Sequence, residues 1–69
     1  MSHIDDVAVS EFANAMRNKM KKSREKKGRS GWQDMSTHVL KTMLIEHIEK
    51  GDMVDVANFA MMIWHNQQR

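Results

Sequence analysis

The sequence predicts an all-α fold of three helices per chain, with helices 2 and 3 forming a four-helix bundle in a homodimer. Three observations lead there. Proline is absent, and the three glycines, Gly28, Gly31 and Gly51, cut the chain into helix-sized pieces. Apolar residues recur at spacings of three and four, the period of a helix face. The last segment is apolar on more than one face, which two other helices of a 69-residue chain can hardly surround.

Helix 1 is read over residues 4–27. Ser2 followed by Asp5 resembles a helix start, and Asp5 and Asp6 suit the positive end of the dipole. Val9, Phe12, Ala13, Met16 and Met20 lie on one face; beyond Met20 the charged run to Lys27 has nothing apolar to bury. Residues 28–34 read as a loop, with Trp32 folding back onto the core or stacking on a base, and with Asp34 or Ser36 available to cap the next helix. Helix 2 is read over 37–50, its core stripe formed by Leu40, Met43, Leu44 and Ile48 and widened by Val39 and Ile45. Gly51 stops it, Asp52 starts helix 3, and that helix runs to about His65 through Val56, Ala57, Phe59, Ala60, Met61, Ile63 and Trp64. The chain reads as a single domain.

Composition narrows the chemistry. Cysteine is absent, which excludes disulfides, thiolate metal sites and a cysteine nucleophile. Eight methionines against two phenylalanines suggest an adaptable apolar face. No apolar run approaches the ~20 residues that span a bilayer, and the first residues lack the basic and apolar regions of a signal peptide, so a cytoplasmic protein is expected. His3, His38, His47 and His65 show no paired zinc spacing, and His47 is read as exposed or facing a second subunit. Gly28-Arg29-Ser30-Gly31 lacks the lysine of a phosphate loop.

Charge is unevenly placed: eight of eleven basic residues fall between Arg17 and Arg29, and four of nine acids between Glu46 and Asp55. The acids form Glu46-x-x-Glu49, a Lys50-Gly51 break, and Asp52-x-x-Asp55. Taken singly each is ordinary: Asp52 as an N-cap, Asp55 at the capping-box position, Glu46 and Glu49 as surface residues. Together, at one end of a helical hairpin, they repel one another unless a cation lies between. That cation is either a divalent ion held by oxygen ligands, or Lys50 or the basic segment.

The stretch Val54-Asp55-Val56-Ala57-Asn58-Phe59, with Gly31-Trp32, Leu40, Leu44, Glu46 and Glu49 ahead of it, resembles short phage members of the MazG-like all-α nucleoside triphosphate pyrophosphohydrolases over roughly residues 12–64. The resemblance implies a nucleotide partner, a homodimer, and Mg²⁺ (or Mn²⁺) held by Glu46, Glu49, Asp52 and Asp55. It implies Asn58 facing the nucleotide, release of pyrophosphate, and a phage or bacterial source. Glu49 is the expected general base; Lys21, Lys22, Arg24 and Arg29 would steer the phosphates, with Trp32 against the base. Three departures stand out: His47 where the family has a second adjacent glutamate, an inter-motif segment reduced to Lys50-Gly51, and Asp52 in place of a glutamate. They admit a second reading, a non-catalytic accessory protein that sequesters a nucleotide or binds and inhibits a host protein. A third is a small basic nucleic-acid-binding protein, its salt-sensitive affinity supplied by residues 17–29.

Overall fold

A computed structural model of the chain describes residues 3–27 and 31–68. It contains helix α1 (Ile4–Lys27), a 3₁₀ turn (Trp32–Asp34), α2 (Thr37–Lys50) and α3 (Met53–Gln67), with no strand among the described residues. The third helix thus begins one residue later and ends two residues later than its periodicity suggests. No helix of the described residues is long and apolar enough to cross a membrane.

Local chemistry sets each boundary. Ser2 lies outside the described residues; in α1 the Asp5 backbone N–H donates to His3 Nδ1 at 3.0 Å. Ser36, not Asp34, caps α2, its hydroxyl accepting from the Val39 N–H at 3.2 Å. Gly51 ends α2 with φ 76°. Its N–H donates to the Ile48 carbonyl at 3.0 Å, while the Asp52 N–H donates to that of His47 at 3.1 Å. This paired closure is the Schellman arrangement, and it reverses the chain within two residues. Asp52 then caps α3 by accepting the Asp55 N–H at 3.2 Å.

The centre of the molecule is α3. It packs against α2, against α1 and against the 3₁₀ turn, while the backbones of α1 and α2 do not approach each other among the described residues. Its own chain covers α3 on several sides but leaves Ala60 and Trp64 of its apolar set exposed. Among the described residues only Leu40 and Met62 are buried apolar side chains, and Val9, Phe12, Ile45, Ile48, Met53 and Trp64 are exposed. The Cα radius of gyration, 13.1 Å, exceeds the ~11 Å expected of a compact chain of this length.

Trp32 is half-buried. Its ring meets His65 edge-on, with centroids 5.3 Å apart, and its carbonyl accepts from Asn66 Nδ2 at 3.2 Å. The loop tryptophan is thus tied to the far end of α3.

Candidate functional site

The inward stripe of α2 runs through Leu40, Met43, Leu44 and His47, none of them exposed, whereas Ile48 is 48% exposed. That of α3 runs through Asp55, Asn58, Phe59, Met62 and Asn66. Polar side chains therefore occupy positions that an apolar pattern would fill. A small domain loses apolar burial at each one, so each such exception calls for a structural or functional role.

Two of these, His47 and Asp55, meet Lys19 and Asp52 where α1 passes the α2–α3 turn. The Lys19 ammonium lies 3.5 Å from both Asp52 and Asp55 carboxylates. His47 Nε2 lies 3.6 Å from Asp55, and its ring packs on Phe59 with centroids 4.9 Å apart. His47 Nδ1 is 2.7 Å from the Met43 carbonyl. A carbonyl only accepts, so this nitrogen carries the hydrogen, and Nε2 is left facing the carboxylate. The histidine is 19% exposed and faces α3 of its own chain. This corrects its expected exposed or subunit-facing position: it sits one heptad after Leu40, on the covered stripe. The Asp55 N–H holds the Asp52 carboxyl below its ordinary range, helped by the Asp55 side chain; desolvation opposes this, and the Lys19 charge adds to the lowering.

Beside the cluster lies a cavity of about 470 Å³. Lys19 and Asp55 line it, as do Trp32, Phe59, Asn58 and several methionines. Asn58 is 3% exposed and donates from Nδ2 to the Met16 carbonyl at 3.3 Å, pinning α1 to α3. That acceptor fixes the amide's orientation, because only nitrogen can face it. The Oδ1 atom is thereby buried without a hydrogen-bond donor among the described residues.

The expected site residues separate into groups. Asp52, Asp55, Asn58 and Trp32 gather at the cavity or at the cluster on its edge. Glu46 and Glu49 stand exposed on α2, with no ion pair or hydrogen bond among the described residues. Lys21 and Lys22 are exposed on α1, and Lys21 lines a separate groove. Arg29 lies outside the described residues. No group of three or more His, Asp or Glu side chains among the described residues is placed to hold a metal ion. What the fold brings together is the Asp52–Asp55 pair, joined through Lys19. Sequence reasoning missed His47, which the inward spacing of 40, 43, 44 and 47 signals. It offered the basic segment 17–29 as a source of compensating charge, and Lys19 of that segment takes the place, though nothing local singles Lys19 out because its partners are more than thirty residues away.

Compared with models of known protein families, with curated proteins and with solved structures, the chain matches none.

Proposed function

We propose that this chain is a nucleotide-binding protein that takes a nucleoside triphosphate as its Mg²⁺ (or Mn²⁺) complex in the aromatic-lined cavity, as a homodimer. The observation behind this reading is that Asp52 and Asp55 converge on one ammonium group at the edge of that cavity. Trp32, Phe59 and the methionines offer a base a planar and adaptable apolar surface. The phosphates then fall toward the cluster, where two carboxylates outweigh Lys19. A bare polyanion is repelled there, so affinity requires the metal. Bound between the phosphates and the two aspartates, the ion would neutralise charge and acidify a coordinated water. Lys19, released from its carboxylates, is free to donate to a phosphate oxygen.

Binding without turnover is the form this geometry supports best, because Glu46 and Glu49 are exposed and distant in role from the Lys19–Asp55 cluster. The pyrophosphohydrolase implied by the family resemblance, with Glu49 as base, is the second reading. The convergence of Asp52 and Asp55 favours it equally, since both readings need the metal there.

Calorimetric titration with a panel of nucleoside triphosphates, in Mg²⁺ and in EDTA, tests the proposal. The expected result is saturable binding in Mg²⁺, abolished by EDTA and weakened at least tenfold by Asp55→Asn, with pyrophosphate at background. Pyrophosphate release that Glu49→Gln abolishes would establish the hydrolase. Absence of heat with every nucleotide would end the nucleotide reading.

A further inference from the structure

A second concavity adjoins the first, sharing Met20 of α1 and Asn58 of α3 with it. It is a groove of about 510 Å³ between α1 and α3, floored by Met16 and Met61 and rimmed by Arg17, Lys21 and Arg24. The three cations follow the spacing i, i+4, i+7, so they form one edge of a helix face. A solvated charged stripe has no need of a methionine floor, and a nucleic-acid platform would offer aromatic faces for its bases, which this groove lacks.

The complementary surface is on the same chain. On α2, Ile45 and Ile48 are each 48% exposed, and Glu46 and Glu49 stand beside them. Lys41 and Lys50 mark the two ends of this face, so its negative character is centred on the glutamates. We infer that the basic groove of one chain receives the Ile45–Glu46–Ile48–Glu49 face of α2 from a second copy, and that the exchange is reciprocal. A helix laid in a groove with apolar contact below and opposite charges at the rim is a recurrent mode of recognition. Reciprocity closes the assembly at two chains.

Exposed area supports an occupant of this size. The chain exposes 5434 Å². A compact monomer of its 8.1 kDa mass exposes ~4,500 Å². The excess of roughly 900 Å² is close to the ~800 Å² that each partner contributes to a standard interface. The inference rests on the homodimer reading and assigns the faces that meet.

The test is sedimentation equilibrium of the full chain, wild type and charge variants, with circular dichroism to confirm helix content. Wild type is expected at twice the chain mass. Arg24→Glu and Glu49→Lys are each expected to weaken association at least tenfold, and the two variants mixed are expected to recover most of it by pairing with each other. Lys21→Ala, a milder change, should weaken association several-fold. A monomeric wild type overturns both the dimer and this contact. A wild-type dimer that neither reversal weakens, or that the mixture fails to restore, overturns the contact and leaves the dimer standing.

Discussion

Asp52 shows how one side chain serves two purposes at once. It caps α3 through the Asp55 N–H and it shares Lys19 with Asp55. Each ion pair is exposed enough that its stabilising contribution is small. Their value is positional: the ammonium keeps two carboxylates together that would otherwise separate. The consequence for pH has a definite sign. The Asp52 carboxyl is held below its ordinary value of 3.8. A carboxyl depressed in the folded state adds stability above its unfolded pKa and loses it as pH falls through the folded one. Asp52→Asn keeps a good N-cap and removes the titration. Urea denaturation from neutral pH down to about pH 2.5 should therefore show a shallower acid limb in the variant, with little change near pH 7. An unchanged acid limb would assign the acid sensitivity to other groups.

At the scale of the element, the turn between α2 and α3 determines whether a site exists. Gly51 adopts φ 76°, and a Cβ there would meet nothing within 4 Å. Gly51→Ala therefore tests backbone conformation alone. Left-handed geometry disfavours an L-residue by about 1–2 kcal/mol, so the variant should lose about that much stability in urea denaturation. A loss well below this range would mean that the turn relaxes, and the Asp52–Asp55 register with it. The three helices, the stop at Gly51 and the cap at Asp52 were legible in the sequence because each depends on neighbours within five residues. The site was legible only in part. Asp55 and Asn58 stood out within a distinctive stretch, and Leu40, Met43 and Leu44 were read as core residues of α2; Ile48, read with them, stays exposed because the covered stripe passes through His47 instead. Glu46 and Glu49, beside Ile45 and Ile48, leave the corner for that reason. Lys19 joins it through a tertiary contact that no local pattern encodes.

For the whole molecule, the balance between covered and open apolar surface is the governing fact. A core whose buried apolar members among the described residues are Leu40 and Met62 offsets little of the entropy of ordering this chain. The chain also lacks cysteine, so no disulfide restrains its unfolded state. In the proposed dimer a second copy would supply the missing burial, and stability would then depend on mass action. For a dimer that unfolds to separated chains, each tenfold rise in concentration adds about 1.4 kcal/mol per dimer. In a chain of this size that moves the midpoint upward by several degrees per decade of concentration, because the unfolding entropy of a small domain is low. Melting followed by circular dichroism over a hundredfold range of concentration should resolve the shift. The groove contact adds a condition: if charge pairs join the copies, high salt should lower the midpoint most at low protein concentration, where association is weakest. A midpoint independent of concentration would mean that three helices with so thin a core stand alone, and the exposed isoleucines of α2 would then need a different partner to account for them.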